Sequence, residues 1–351
     1  MISRTGRGSD AEGHRTRQPA RTSCRRSFLQ AAAFGSLALR APPGVARPAS
    51  DPLPSWRDGG AKRTILDFVA GALHTGGPRF IPRRERIAVF DNDGTLWCER
   101  PSVEALYVVA KARELARRRP ELEAREPYAS LLARGADALD ALPPAARLQL
   151  LADTHTGMTD EEFVADVQHF LTTAKHPTFG VSFLELTYLP QLELLAHLRQ
   201  SEFDVWLCSG GEISFARVVA EKAYGIPPDK VIGTCFKTVP EQHHGRSSLR
   251  RTSEVVALNE KDDKPGNILR HAGRRPVLAA GNEGDGEDTA MLRYVHGNAL
   301  PSLSLLVNHD DERREYAYAE KDGASLEAAR RHGFTVVSAK HDWRRIFSFQ
   351  D

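Results

Sequence analysis

The pattern of hydrophobic and polar residues changes most abruptly around residue 90. Four consecutive apolar residues, Ile87 to Phe90, are followed at once by Asp91-Asn92-Asp93-Gly94-Thr95. An unbroken apolar run of this length is typical of a strand covered on both faces, as in a parallel sheet. Because alternate strand residues share a face, Asp91 and Asp93 would lie together at the carboxyl end of the strand, where open α/β sheets bind ligands. An exposed turn is the alternative interpretation, since Asn-Asp-Gly is also common in turns.

Apolar segments of strand length recur in the second half of the chain, and segments with helical spacing separate them. The predicted strands are 203–208, 231–235, 277–280, 304–307 and 334–337, and two of the predicted helices are 190–198 and 212–224. Strands that alternate with helices predict a doubly wound α/β fold with a parallel sheet. Residues 240–254 are polar and predict a loop or an exposed hairpin.

The region between the first two strands differs, because it shows helical spacing and no strand pattern. Thr159-Asp160-Glu161-Glu162 is a capping box that opens one of these helices. We predict an all-helical insert at 102–185, between core segments at 64–101 and 186–351. Before the core, Thr64 is predicted to cap a helix at 65–74, and residues 47–63, rich in Pro, Arg and Gly, are predicted to be a linker.

Composition and charge exclude some classes of partner. With 41% hydrophobic residues, the chain of 351 residues can bury a sizeable core. Its formal net charge is +2, but residues 1–46 alone contain eight Arg and two acidic residues, so the remainder carries −4. Because the positive charge is confined to the start, no nucleic-acid partner is expected. The four cysteines fit neither a disulfide framework nor a zinc spacing, and we interpret Cys98 and Cys208 as packing thiols, although both could line a site.

The basic start of the chain has the layout of a leader. Arg25-Arg26 precedes the alanine-rich run Phe28–Leu39, which is too short for a membrane span, and Gly44-Val45-Ala46 provides a small-residue cleavage site. This arrangement resembles a twin-arginine export signal. The resemblance implies a signal peptide at 1–46, the export machinery as a partner and a periplasmic location, with no stable membrane span. A disordered basic tail on a cytoplasmic protein is the alternative.

The segment Asp91–Thr95 resembles motif one, Asp-x-Asp-Gly-Thr, of the haloacid dehalogenase (HAD) superfamily. Three further segments resemble the later motifs of this family in the family order: 207–211, 262–267 and 279–288. The order also resembles that of the phosphoserine phosphatases, loosely. The resemblance implies a Rossmann-like HAD core and makes the helical insert a cap that closes over the site. An independent helical subdomain is the alternative for the insert.

The resemblance also implies roles for individual residues. Asp91 would be the nucleophile that forms an aspartyl-phosphate, and Asp93 the general acid and base. Ser209 and the Gly210 amide would hold the phosphoryl oxygens, because a strand that ends in Ser-Gly-Gly before a helix offers a hydroxyl and free backbone N–H groups. Lys264 would neutralise the transferring group, with Lys261 as the second candidate. A solvated charge run is the alternative for the lysine segment.

A magnesium ion is the implied cofactor. Two close carboxylates repel each other, and a divalent cation with a preference for oxygen ligands removes this conflict. The implied metal residues are Asp91, Asp93 through its backbone carbonyl, Asp285 and Asp288. The sequence departs from the family pattern at Asn282, where the first acidic residue of motif four is expected.

Other residues are implied around the substrate. Thr95, Ser209 and Gly210 would contact the phosphoryl group, and Glu99 and Arg100 the rest of the substrate, unless these two are ordinary exposed charges. His309-Asp310-Asp311 lies near the same edge of the sheet, where a helix N-cap is the simpler interpretation.

The sequence therefore predicts a Mg²⁺-dependent phosphomonoester hydrolase that acts on a small phosphorylated metabolite. The alternatives are a phosphotransferase or a dehalogenase on the same fold, and a non-catalytic periplasmic protein that binds a phosphorylated ligand. The chain lacks the Gly-x-x-x-x-Gly-Lys-Ser/Thr segment of P-loop enzymes, which disfavours a nucleotide-dependent kinase.

Overall fold

The structure is a computed structural model that describes residues 51–350, apart from residues 244 and 285 and the side chains of residues 140 and 243. The predicted signal peptide, the first residues of the predicted linker and the predicted metal ligand Asp285 therefore lie outside the described residues.

The described residues form one seven-stranded sheet with the strand order β4-β3-β2-β1-β5-β6-β7. The strands are β1 Ile87–Phe90, β2 Asp204–Glu212, β3 Val231–His243, β4 Arg246–Ala257, β5 Leu278–Asn282, β6 Leu303–Asn308 and β7 Thr335–Ser338. All neighbours are parallel except β3 and β4, which form an antiparallel hairpin. The predicted α/β fold is confirmed, and the polar segment 240–254 is the outer part of the hairpin.

The central strand β1 lies where the strand order reverses, between β2 and β5. Phe90 pairs with Leu207 of β2 on one side and with Ala280 of β5 on the other. All four β1 residues are buried, and alternate residues pack into two different apolar clusters, one on each face of the sheet. The apolar run is thus covered on both faces as predicted, and Asp91 follows at the switch point where open α/β sheets bind ligands.

Eleven α-helices flank the sheet or form the insert in the described part of the chain. They are α1 Gly60–Leu73, α2 Val103–Arg118, α3 Tyr128–Arg134, α4 Asp137–Ala141, α5 Pro144–His155, α6 Asp160–Thr173, α7 Leu189–Gln200, α8 Ile213–Val219, α9 Asp263–Ala272, α10 Thr289–His296 and α11 Ala324–His332. A π-helical turn, Ala220–Tyr224, extends α8. No helix in residues 51–350, as far as described, is both long and apolar enough to cross a bilayer.

The predicted linker is wrong for its described part, residues 51–63. Leu53 and Trp56 are fully buried, and Trp56 packs edge-on against Trp343 with ring centroids 6.2 Å apart. Helix α1 begins at Gly60, so Thr64 lies inside the helix and does not cap it. The Pro and Gly content suggested a linker, but two large apolar side chains are enough to hold this segment in the core.

The insert is helical as predicted, with helices α2 to α6 and no strand among its described residues. Its two halves pack differently. Residues of α2, α3 and α5 form a separate apolar cluster that includes Val108, Tyr128, Leu131 and Leu150. Phe163, Val167 and Leu171 of α6 instead belong to the main core under the sheet, so the insert is not an independent subdomain.

The β3–β4 hairpin fastens the insert to the sheet through Arg251. The Arg251 side chain is 2% exposed and pairs with Glu212 at the end of β2 and with Asp160 at the start of α6, each at 2.5 Å. Its guanidinium carbon lies 4.1 Å from the centre of the Phe163 ring. One buried cation therefore connects the hairpin, the sheet and the insert.

Candidate active site

The loop after β1 is held by its backbone. Asp91 N–H donates to the Ala280 carbonyl of β5, and Gly94 N–H donates to the Trp97 carbonyl, both at 2.9 Å. Gly94 has φ +69°, and a Cβ there would lie 2.1 Å from Asn282 Nδ2. Only glycine fits this position, because the backbone is left-handed and the neighbouring strand end is too close for a side chain.

Lys264 lies between two carboxylates at the carboxyl edge of the sheet. Its Nζ donates to Asp91 Oδ1 at 2.8 Å and to Asp288 Oδ1 at 2.6 Å, and its side chain is 1% exposed. The start of α9 brings the lysine here from the chain segment after the hairpin. Lys261 is exposed. Of the two candidate lysines, Lys264 is therefore the one that the fold brings to Asp91.

The three charges shift each other's pKa values. Burial and the neighbouring Asp288 raise the pKa of Asp91 well above its ordinary value, although Lys264 opposes them. Burial alone would lower the pKa of Lys264, but Asp288 and Asp91 outweigh it and raise that pKa. Lys264 therefore stays a cation at neutral pH, and this corner of the site has more carboxylates than cations.

Asp93 lies beside this group with a separate set of partners. Its Oδ1 accepts from Trp97 Nε1 at 2.9 Å and its Oδ2 from Asn92 Nδ2 at 3.3 Å. Burial, assisted by Glu99 and Glu104, raises the pKa of Asp93 to about 7 in spite of these hydrogen bonds. A carboxyl group with this pKa is half protonated near neutral pH and can both give and take a proton.

Two hydroxyls predicted to contact a phosphoryl group are buried in the same region. Thr95 Oγ1 lies 3.4 Å from Asp91 Oδ2, and Thr95 is fully buried. Ser209 is 1% exposed, and its carbonyl accepts from Asn259 Nδ2 at 2.7 Å. Ser209 lies in an irregularity of β2, where the register to β3 shifts between Cys208 and Glu212. Such a bulge redirects side chains at a strand end.

The prediction of free amides at the start of α8 is wrong for the amides that follow Gly210. Gly211 N–H donates to Ser209 Oγ at 3.1 Å, and Glu212 N–H donates to the Glu104 carboxylate of the insert at 3.2 Å. The Glu212 side chain itself caps α8 by accepting from Phe215 N–H at 2.9 Å. Glu104 was not a candidate in the sequence, because it contacts a residue more than a hundred positions away.

Glu99 and Arg100 differ in their surroundings. The Glu99 side chain is 17% exposed and accepts from Asn282 Nδ2 at 3.3 Å, and burial raises its pKa. Arg100 is 44% exposed, with its guanidinium carbon 4.8 Å from the centre of the Tyr318 ring. Glu99 is therefore part of the buried site, whereas Arg100 lies at its exposed rim.

The residues present fit a hard divalent cation. Asp91 and Asp288 converge on one lysine. Asp288 Oδ2 also accepts from the backbone N–H of Asn282 at 2.9 Å, so Asn282 contributes a neutral backbone amide beside the carboxylates. Among the described residues, which exclude Asp285, no three His, Cys, Asp or Glu side chains form a metal cluster. The excess of buried carboxylate oxygens over cations is the feature that a Mg²⁺ ion would balance.

The two cysteines near the site are packing residues. Cys98 and Cys208 are buried and free, and burial raises the pKa of each thiol to about 12. They stay protonated at neutral pH, which agrees with the interpretation from the sequence.

The predicted helix N-cap at 309–311 is wrong, because the next helix, α11, begins only at Ala324. His309 is instead fully buried, and its Nε2 lies 2.7 Å from the Gly94 carbonyl. Sequence reasoning also missed Asn259 behind Ser209 and Tyr224, whose hydroxyl donates to Asn92 Oδ1 at 2.9 Å. These contacts join distant chain segments, so no local spacing could have indicated them.

The comparisons with known proteins agree with this geometry. The family model described as haloacid dehalogenase-like hydrolase matches residues 88–282, which is more than half of the chain and runs from β1 to the end of β5. The protein belongs to this family. The HAD motifs predicted from the sequence thus identified the family correctly, and three of the four fall inside the matched residues, with the fourth beginning there.

Solved structures resemble the chain at low sequence identity. A conserved, functionally unknown protein from Anaerococcus prevotii has a TM-score of 0.51 and 12% identity, with 79% of this chain and 91% of that chain covered. A HAD family hydrolase from Salmonella enterica serovar Typhi has a TM-score of 0.40 and 13% identity, covering 74% and 69%. A probable phosphoserine phosphatase from Vibrio cholerae has a TM-score of 0.37 and 16% identity, covering 76% and 63%. No curated protein sequence matches the chain.

Proposed function

We propose that this HAD-family hydrolase cleaves small phosphomonoesters through an aspartyl-phosphate on Asp91. The observation that supports the proposal most directly is the placement of Asp91 at the end of β1, with the Lys264 ammonium at 2.8 Å and Asp93 two residues further on. A nucleophile, a fixed cation and an acid with a pKa of about 7 are the groups that phosphoryl transfer needs.

In the first step, an Asp91 carboxylate oxygen attacks phosphorus and the bond to the ester oxygen breaks. Asp93, in its protonated form, gives its proton to the departing alcohol oxygen. In the second step, Asp93 takes a proton from water, whose oxygen attacks the phosphorus of the aspartyl-phosphate and releases inorganic phosphate and Asp91. Lys264 offsets the charge of the transferring group, and the Thr95 and Ser209 hydroxyls can donate to its oxygens.

We further propose that Mg²⁺ binds beside Asp91. The residues that would hold it are Asp91, the Asp93 backbone carbonyl, Asp288 and Asp285, of which the last lies outside the described residues. Such an ion supplies positive charge to the phosphoryl oxygens. A magnesium requirement is supported by the two buried carboxylates, Asp91 and Asp288, that share the cation Lys264 in the described part of the site.

The rest of the substrate would lie between motif one and the insert. Glu104, at the first turn of α2, reaches the backbone at the end of β2, so the insert already contacts the site in this structure. A cap in this position excludes water from the first step. Residues 99 and 100 border the same region, and we expect them to contact the leaving group.

The location of the enzyme rests on its leader alone. Arg25-Arg26, the alanine-rich run and the small residues at 44–46 support export by a twin-arginine route to the periplasm. A cytoplasmic enzyme is expected if the leader does not function. No nucleic-acid partner is proposed.

The test is turnover of para-nitrophenyl phosphate by the purified chain with and without Mg²⁺, followed by a screen of phosphorylated metabolites. Asp91→Asn should lower turnover by about a thousandfold or more, because an amide is a poor nucleophile. Asp229→Asn, at an exposed position, is the matched control. Borohydride reduction during turnover should mark Asp91 by mass spectrometry.

Other outcomes would select the alternatives. Transfer of phosphate to an added alcohol in preference to water would indicate a phosphotransferase. Tight binding of phosphorylated ligands with no turnover by the wild type would indicate a binding protein. Activity of Asp91→Asn within tenfold of the wild type would refute the proposed nucleophile.

A further inference from the structure

A buried His–Glu pair lies behind the motif one loop and takes no part in the proposed chemistry. His309 follows β6, and its Nδ1 lies 2.7 Å from Glu315 Oε1, with both side chains 0% exposed. The other oxygen of Glu315 accepts from the Tyr188 hydroxyl at 2.7 Å. His309 and Glu315 both follow the family match, which ends at residue 282, so family membership does not account for them.

The partners of His309 define its protonation. The Gly94 carbonyl is an acceptor only, so the contact of 2.7 Å requires a proton on Nε2. On the other side, one proton lies between Nδ1 and the Glu315 carboxyl group. Because a carboxylic acid is intrinsically a much stronger acid than an imidazolium, this proton belongs on the nitrogen, and His309 is a cation.

The groups around the ring favour this assignment. Tyr318 stacks on the imidazole with centroids 4.4 Å apart, and Tyr188 and Cys98 also face the pair. Burial alone would lower the pKa of His309, but Glu315, and to a smaller extent Glu99, outweigh it and raise that pKa above its ordinary value. The Coulomb attraction of Glu315 is strong here because neither group is exposed to solvent.

The Gly94 carbonyl is a critical point of the loop. Gly94 lies between Asp93, the proposed acid, and Thr95, whose hydroxyl faces Asp91, and it has the left-handed backbone that glycine adopts most readily. Glycine has more backbone freedom than any other residue, so contacts from outside the loop have to fix the loop geometry. A hydrogen bond from a charged donor is shorter and about twice as strong as a neutral one.

We propose that His309 is a positioning residue: as a permanent imidazolium paired with Glu315, it holds the Gly94 carbonyl and thereby keeps Asp93 and Thr95 aligned with Asp91. Its kinetic consequence rests on the proposed phosphatase function, whereas the charge of His309 and the fixed loop do not. His309→Gln should lower kcat up to about a hundredfold with little change in KM, because small misalignments of reacting groups have effects of this size.

The first measurement is nitrogen NMR of the full chain labelled at histidine. The wild type should show one histidine with both ring nitrogens protonated at neutral pH, and His309→Gln should lack this signal. Glu315→Gln keeps an oxygen acceptor but removes the negative charge, so the same histidine should lose its proton at a lower pH than in the wild type. A His309 with an unprotonated Nδ1 at neutral pH in the wild type would overturn the proposal.

The second measurement is amide hydrogen exchange of residues 92–97, which needs no enzymatic activity. Exchange should be faster in His309→Gln and Glu315→Gln than in the wild type, and unchanged in His341→Gln, an exposed histidine of the same C-terminal region. Unchanged exchange in folded Glu315→Gln would overturn the proposal.

The kinetic measurement separates the two proposals. If the wild type turns over phosphomonoesters and both variants keep kcat within twofold, the positioning role is wrong and the proposed function stands. If the wild type is inactive while the NMR signal and the exchange behave as expected, the proposed function is wrong and the fixed loop is upheld.

Discussion

Among the site residues, Asp93 leads to the most direct prediction of how activity depends on pH. Its pKa is raised from 3.8 to about 7, chiefly by burial. If protonated Asp93 supplies the leaving-group proton, turnover of esters of poorly acidic alcohols should fall as the pH rises above about 7. Esters of nitrophenol, whose anion leaves without a proton, should show a weaker fall. Identical pH profiles for the two ester classes would contradict this role.

The same shift has a consequence for stability. A carboxyl group whose pKa is raised on folding stabilises the native state least when it is ionised, so stability is lost as the pH rises from about 4 to 7. Asp93→Asn removes this loss. The free energy of unfolding of Asp93→Asn relative to the wild type should therefore increase between pH 4 and pH 8, measured by urea denaturation. A constant difference across this range would show that the folded-state pKa is close to its ordinary value.

The metal prediction concerns Asp285 and Asp288. Removing a direct ligand should raise the Mg²⁺ concentration for half-maximal activity more than it changes KM at saturating metal. We expect Asp285→Ala to have the larger effect, because Asp288 already holds Lys264 and the Asn282 amide. Parallel Mg²⁺ titrations of both variants are the measurement. An effect of Asp288→Ala alone would mean that the motif was aligned incorrectly.

Single residues were predictable where a short segment carried the signal. Asp91, Asp93 and Thr95 lie in one motif, and the Lys264 pattern could be recognised within six residues. Glu104 and Asn259 could not be predicted, because each acts through a partner brought near only by the folded chain. The sequence placed His309 near the edge of the sheet but gave no sign of its contact with Gly94. The occupied amide of Glu212 is the clearest case, since its partner Glu104 lies in another element altogether.

Among the secondary structure elements, the β3–β4 hairpin connects the insert to the sheet through Arg251. Arg251→Met would remove the buried cation between Glu212 and Asp160 and leave Glu212 buried without its charge partner. Such a change costs about 3–5 kcal/mol of stability. Arg246→Met, on an exposed position of the same hairpin, should have little effect. Urea denaturation of both variants tests this difference, and equal stabilities would show that Arg251 does not fasten the insert.

Elements were predictable where their hydrophobic period was regular. Strand β1 and the alternation of strands and helices after residue 186 followed directly from the pattern, because buried parallel strands are nearly all apolar. The boundaries were less accurate, since β2 continues through Ser209-Gly210-Gly211 to Glu212. The prediction of a linker was wrong because it rested on the Pro, Arg and Gly content, whereas the two large apolar residues Leu53 and Trp56 are buried.

For the whole molecule, the proposed export signal gives a prediction that does not depend on the enzyme's chemistry. Replacing Arg25 and Arg26 with Lys should leave the protein in the cytoplasm, because the paired arginines are the feature that the twin-arginine resemblance rests on. Cell fractionation with detection of the tagged chain measures the outcome. Recovery of the double variant in the periplasm at wild-type levels would contradict this route.

The first and the last described segments of the chain pair with each other. Arg57 N–H donates to the Asp342 carbonyl at 2.7 Å, and Arg344 N–H donates to the Ser55 carbonyl at 2.8 Å, on either side of the backbone bridge between Trp56 and Trp343. The ribosome synthesises the second segment long after the first, because almost the whole domain lies between them in the sequence. Trp56 therefore stays without this partner until Trp343 has been synthesised, and the domain cannot complete its fold before that residue is made.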